Sequence, residues 1–254
     1  MRIESRSLGC TLWLSGLLLM AARAHAQTPP APEPSAPSID VVVDVAATRV
    51  EIAEQQLKEQ TQQRLLGFFP NFRVSYRPDA VPLNSRQKFK LAWKSVSDPT
   101  RFAGVAMTAG IQHARNDFPG FGRGLEGYGK RYAALYATLF TGSMISTAVL
   151  PSLFRQDPRY FYKGTGTRRS RAAYALSRAV VRKGDSGRWQ PDYSRILGSL
   201  TSGALSNFYH PSENRRSARL TFQNTALGIG GAMAGNLLQE FLLKRLTTGR
   251  ARHP

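Results

Sequence analysis

Apolar residues along this chain recur with a helical period and almost never alternate. Between Ser85 and Asp98, Phe89, Ala92, Trp93 and Val96 fall at i, i+3, i+4 and i+7, the stripe of an amphipathic helix. Asp98-Pro99 closes that helix and opens the next, with Asp98 suited to the N-cap and Pro99 to the first turn. This next helix runs to about Arg115. It is built from small residues such as Ala103, Gly104, Ala106, Ala109, Gly110 and Ala114, which let a neighbouring helix approach closely. Upstream, a first helix reads from about Ala46 to Leu66. Its apolar face is thin (Val50, Ala53, Leu57), which predicts a surface helix, and Gly67-Phe68-Phe69-Pro70 stops it. Residues 71–83 hold Pro78 and Pro82 without a period and read as an extended loop.

A fourth helix is expected from about Lys130 to Leu150. Tyr132 to Phe154 contains no charged residue, a length that could span a bilayer. Thr138, Thr141, Ser143, Ser146 and Thr147 dilute its apolarity and favour a central buried helix instead. A fifth helix covers about Arg168 to Arg182. Ala172, Ala175, Leu176, Ala179 and Val180 form its apolar face, and Arg171, Arg178 and Arg182 the other. The turn Lys183–Gly187 leads to a sixth helix, about Asp192 to Asn207, ended by His210-Pro211. The last helix runs from about Ser212 to Leu246. Its Gly228, Gly230, Gly231 and Gly235 each cost about 1 kcal/mol in a helix interior, so they predict close packing or a break near Gly228. No alternating run supports a sheet. The expected fold is mainly α: a single domain of six or seven helices over residues 46–248, with a basic tail at 249–254.

The N-terminus departs from this pattern. Arg2 and Arg6 precede an apolar stretch from Thr11 to Ala22, and Ala24-His25-Ala26 supplies the small residues a signal peptidase reads. Residues 1–26 are therefore expected to be a signal peptide, which sends the protein to the periplasm or cell envelope. Residues 27–45 follow as a proline-rich tether, dense in Pro29, Pro30, Pro32, Pro34 and Pro37. Cleavage would leave 228 of the 254 residues, long enough for a proper core. It removes Arg2, Arg6, Arg23 and Glu4, so the formal charge moves from +19 to +17. It also removes the one cysteine, Cys10, which excludes disulfides, thiol nucleophiles and thiolate metal sites from the mature chain.

Several phrases occur together: Leu66-Gly67-Phe68-Phe69-Pro70-Asn71-Phe72, Gly127-Tyr128-Gly129-Lys130-Arg131-Tyr132, Gln156-Asp157-Pro158-Arg159-Tyr160-Phe161, Ala175-Leu176-Ser177-Arg178 and Ser206-Asn207-Phe208-Tyr209-His210-Pro211. In these phrases the chain resembles a family of uncharacterised exported proteins of soil bacteria, over roughly Arg64 to Leu243. The resemblance implies a bacterial envelope protein and carries no activity and no functional residues.

Few motifs promise chemistry. Gly122, Gly124 and Gly127 fit a dinucleotide fingerprint, and Gly124 to Lys130 fits most of a P-loop. The first lacks a preceding strand, and in the second Arg131 stands where Ser or Thr would hold magnesium. A glycine-rich turn into a helix is the expectation there. His113 and Asp117 have the spacing of two metal ligands but no third, and His210 with Glu213 offers a base and its orienter but no nucleophile. No cofactor, metal or catalytic residue is assigned. An envelope hydrolase with a pocket near His113, Asp157 and His210 is kept as an alternative, as is an integral protein with spans near 132–154 and 220–243. Asp157 and Arg159 are expected to staple the turn after the fourth helix, Asp157 as a cap and Arg159 as its bidentate partner.

Charge suggests a binding role. Arg159, Lys163, Arg168, Arg169, Arg171, Arg178 and Arg182 are interleaved with Tyr160, Phe161, Tyr162 and Trp189. Such a stripe suits single-stranded nucleic acid or a membrane interface equally. Export excludes nucleic acid and leaves anionic lipid, lipopolysaccharide or wall polymer. The expectation is a non-enzymatic, helical envelope protein contacting such surfaces through these seven residues, with self-association open through its glycine-rich helices.

Overall fold

In the computed structural model, residues 39–206, 208 and 218–249 are described. The expected signal peptide, most of the tether, His210, Glu213 and the basic tail lie outside them. The chain is mainly helical, as its periodicity predicts. The helices are α1 (Ile39–Gln60), α2 (Ser85–Val96), α3 (Pro99–Ala114), α4 (Gly124–Met144), α5 (Leu150–Leu153), α6 (Arg168–Ser177), α7 (Tyr193–Ser206), α8 (Ala218–Leu238) and α9 (Lys244–Leu246). Two π-turns, Ile145–Val149 and Gln239–Leu243, join α4 to α5 and α8 to α9. Among the described residues, seven strands of two or three residues pair between the helices: β1 (Arg64–Leu65), β2 (Phe69–Pro70), β3 (Val74–Ser75), β4 (Tyr160–Phe161), β5 (Val181–Lys183), β6 (Trp189–Pro191) and β7 (Thr247–Thr248).

Several boundaries shift for identifiable reasons. The first helix starts at Ile39, so residues 39–45 are helical and not tether. It ends at Gln60 because Arg64–Leu65 leaves to pair antiparallel with β2 and β7; Leu66 and Gly67, both at positive φ, make the turn between β1 and β2. α1 is also less peripheral than its thin face suggests. Ala53 and Leu57 join Phe72, Leu83 and Leu91 in the apolar core. α2 is rotated relative to the expected stripe. Leu91, Ala92, Ser95 and Val96 are buried together with Lys88, while Phe89 and Trp93 are 44% and 58% exposed. Lys88 turns inward because its ammonium donates to Asp185 at 2.6 Å and to the Pro151 carbonyl at 3.2 Å. α6 stops at Ser177, five residues earlier than expected, and Val181–Lys183 pairs antiparallel with Trp189–Pro191.

α4 begins at Gly124, six residues before the expected start, and packs against α2, α3 and α7. Two glycines mark a close approach of α7 to α4 and to the first π-turn. A Cβ on Gly198 would lie 3.1 Å from that of Ser146, and one on Gly142 3.5 Å from the Ser202 hydroxyl. α8 behaves differently. Cβ atoms on Gly228, Gly230, Gly231 and Gly235 would meet nothing within 4 Å, so the close packing expected for these glycines does not occur. The helix runs unbroken through them.

Buried polar side chains outnumber buried apolar ones among the described residues, and they hold the elements together. Gln156 receives the backbone N–H and hydroxyl of Ser194 and donates to the Pro191 carbonyl. Glu240 accepts from the Tyr160 hydroxyl, the Lys163 and Gly164 amides and the Arg171 guanidinium. That carboxylate ties α6 and the loop after β4 to the second π-turn.

Candidate functional site

The parallel pair β3–β4 places Arg73 just before Val74 and Arg159 just before Tyr160, on neighbouring strands. The β5–β6 hairpin brings Arg182 and Lys183 beside Trp189. The first turn of α7 adds Arg195, the end of α6 adds Arg178, and α8 with its π-turn closes the space with Gly235, Asn236 and Gln239. Between them lies a cavity of about 310 Å³. Six cations line it: Arg73, Arg159, Arg178, Arg182, Lys183 and Arg195. Among the described residues, no carboxylate does.

Their partners divide them. Asp157 holds Arg159 bidentately at 2.8 and 2.6 Å, and both are buried. Arg159 further donates to the Val81 carbonyl at 2.7 Å. Burial pushes the Asp157 carboxyl up, but the Arg159 guanidinium outweighs this and holds it below the usual carboxylate range. Asp192 is shared: it accepts from Arg182 at 3.0 Å and from Arg195 at 3.0 Å. Arg73, Arg178 and Lys183 have no carboxylate within ion-pair distance among the described residues.

Arg178 lies over Trp189, its guanidinium carbon 3.7 Å from the ring centre, and 4.8 Å from that of Tyr174. One of its terminal nitrogens is buried without a hydrogen-bond partner. Lys183 sits 4.8 Å from the ring centre of Phe161. Among the described residues the Arg73 side chain donates only to the Thr147 hydroxyl, at 3.0 Å. Much of its side chain is exposed by area, yet it lies within the fold, since it lines the cavity and an adjoining crevice. That position, with Arg195, Arg182 and Arg101 nearby, pushes its guanidinium down to about 10, still charged at neutral pH. Its unfavourable charge is what an incoming anion would relieve.

The seven basic residues expected on one exposed face are therefore dispersed. Arg159 and Arg182 are buried in ion pairs and cannot serve an open contact surface; each guanidinium tolerates burial because an aspartate meets it. Arg171 is committed to Glu240. Arg178 faces the cavity. Lys163 is half-buried, donating to the Ser170 hydroxyl, and only Arg168 and Arg169 are fully exposed. Sequence reading missed Arg73 and Arg195. The Asp192/Arg195 spacing of three was the available signal for the second. Nothing local marks Arg73.

No family model matches the chain. No curated protein and no solved structure is similar to it.

The other candidates are structural in form. Arg131 is 1% exposed and fills the glycine-rich turn. It donates to the carbonyls of Asp117, Phe118, Gly122 and Gly127 at 2.8–3.1 Å. The turn thus presents carbonyls inward, the opposite of the amide cradle a nucleotide phosphate needs. His113 rests beside Arg131, its Nδ1 at 3.4 Å, and edge-on to Tyr128. Asp157 is committed to Arg159, so it is not available as a base. No group of three His, Cys, Asp or Glu residues that could hold a metal occurs among the described residues.

Proposed function

We propose that the protein is an exported, non-enzymatic component of a bacterial cell envelope that binds anionic groups of that envelope in the cation-lined cavity. One observation carries the reading: among the described residues, six cations and no carboxylate converge on one cavity, and Arg73, Arg178 and Lys183 lack acidic partners there. Guanidinium groups present paired donors that match the oxygens of phosphate. Tyr160, Phe161 and Trp189 supply apolar walls that exclude water and strengthen such contacts. The formal charge of +17 after signal removal would draw the protein towards anionic surfaces.

Sedimentation with lipid vesicles tests the reading. Vesicles rich in phosphatidylglycerol should carry the protein down at low salt, and added inorganic phosphate should compete. Equal, poor sedimentation with anionic and neutral vesicles would end it.

A second reading has one observation in its favour. The continuous helical stretch Gly124–Leu153 is long and apolar enough to cross a membrane, and only 17% of its most apolar window is buried. Under this reading, an alkaline carbonate wash leaves the protein in the membrane pellet. Release into the wash excludes it.

A further inference from the structure

The cation-lined cavity is one of three hollows that share lining residues. Arg73 lines both it and a crevice of about 170 Å³ floored by Asn71, Phe72 and Ser95. Pro70 and Arg101 line both that crevice and a groove of about 560 Å³ between β2, α3 and α4. The groove is apolar, with walls of Phe69, Val105, Met107, Leu135 and Leu139. Its size lies within the roughly 300–1,000 Å³ of small-ligand sites. At Gly104 its wall lacks a side chain: a Cβ there would meet nothing within 4 Å.

Arg101 stands where the groove meets the crevice. It is exposed and makes no ion pair with a described carboxylate. Asp98, the acid nearest in sequence, is already engaged by Arg64 at 2.5 Å and by the Thr100 hydroxyl at 2.7 Å. Arg101 is also close enough to Arg73 to disfavour its charge. Two arginines with no acid between them thus border one narrow crevice, and an apolar groove opens from the outer one. This juxtaposition is amphipathic: one end suits a methylene chain, the other a phosphate.

We infer that the groove and crevice together bind one phosphate-bearing amphiphile, its alkyl chain along α3 and α4 and its phosphate between Arg101 and Arg73. The inference rests on the anion-binding reading and names its ligand class. The phosphate replaces repulsion between the two guanidinium groups with attraction to both, and each can meet it with paired N–H donors. The chain displaces water from the apolar walls.

Calorimetric titration of the purified protein with n-alkyl phosphates of increasing length, each below its micelle concentration, tests this. Glycerol 3-phosphate serves as the chainless control. Affinity should rise about fourfold for each methylene the groove buries. Gly104→Phe and, independently, Thr108→Phe should flatten that rise by filling the groove. Arg101→Gln should weaken every alkyl phosphate at least tenfold. Without any variant, a doxyl-labelled alkyl phosphate should broaden the methyl resonances of Leu135 and Leu139. A flat series beside intact glycerol phosphate binding overturns the chain site and leaves the anion-binding reading standing. A chain-length rise that survives both groove variants also overturns it, since the chain then lies elsewhere. Failure of every phosphate, chainless and alkyl alike, overturns both.

Discussion

Arg131 does in this fold what a short polar core does in others. Its guanidinium satisfies four carbonyls of one turn, and Gly127 lets the backbone pass so close that an added Cβ would sit 2.3 Å from the Gly122 oxygen. Arg131→Met would leave several carbonyls buried without donors, each costing about 1–3 kcal/mol. We expect a loss of at least about 3 kcal/mol in urea unfolding. Lys should rescue little, because an ammonium has three donors and no planar fork. Asp157 yields a prediction in pH. Its folded-state carboxyl titrates below the unfolded value of about 3.9, so its stabilisation is complete above that value and is lost as pH falls through the lower one. Asp157→Asn should cost about 3 kcal/mol at neutral pH, since it leaves Arg159 buried without its counter-charge. It should also flatten the decline in stability below about pH 4. An acid limb unchanged in Asp157→Asn would show that other carboxylates govern it.

At the scale of elements, α7 and α8 both carry glycines and use them differently. Gly198 on α7 abuts Ser146, so Gly198→Val should cost about 1–3 kcal/mol by overpacking. Gly230→Ala on α8 should instead stabilise by up to about 1 kcal/mol, because helix propensity improves and nothing is displaced. Thermal unfolding of the two variants reads the contrast directly. The same elements show how far sequence reaches. Helical period and the Asp98-Pro99 cap were legible because local chemistry sets them. The face that α2 buries was not, since Lys88 lies inside only because Asp185, far along the chain, meets it. The end of α6 was hidden for a similar reason: Ala179 and Val180 continue the helical apolar pattern beyond Ser177, yet Val181–Lys183 pairs as a strand with Trp189–Pro191. The Asp157–Arg159 staple was legible because both partners lie within three residues. The cavity was not, because its six cations come from five elements.

At the scale of the whole molecule, a fold this rich in buried charge has matched most of its interior cations with carboxylates. Lys88 has Asp185, Arg159 has Asp157, Arg171 has Glu240, and Arg182 shares Asp192. Arg131 also lacks a carboxylate but meets four carbonyls instead; Arg73 has neither, and its one side-chain hydrogen bond among the described residues, to Thr147, is one that a neutral side chain could replace. Exposed by area yet unpaired beside five other cations, Arg73 costs the free protein a little stability through like-charge repulsion that solvent only partly screens. A site kept for binding shows that trade between stability and function. Arg73→Gln should therefore raise the stability of the unliganded protein, by about 1 kcal/mol. In the unaltered protein, phosphate should raise the melting temperature with its concentration, corresponding to about 2.7 kcal/mol of stabilisation at a hundredfold excess over its dissociation constant. In Arg73→Gln that rise should be largely lost. The two effects must appear together. A variant less stable than the parent, with the phosphate response intact, would make Arg73 a packing residue and remove its claim to the anion. A variant more stable and unresponsive would mark the position as one where the fold gives up stability to keep a charge for its ligand.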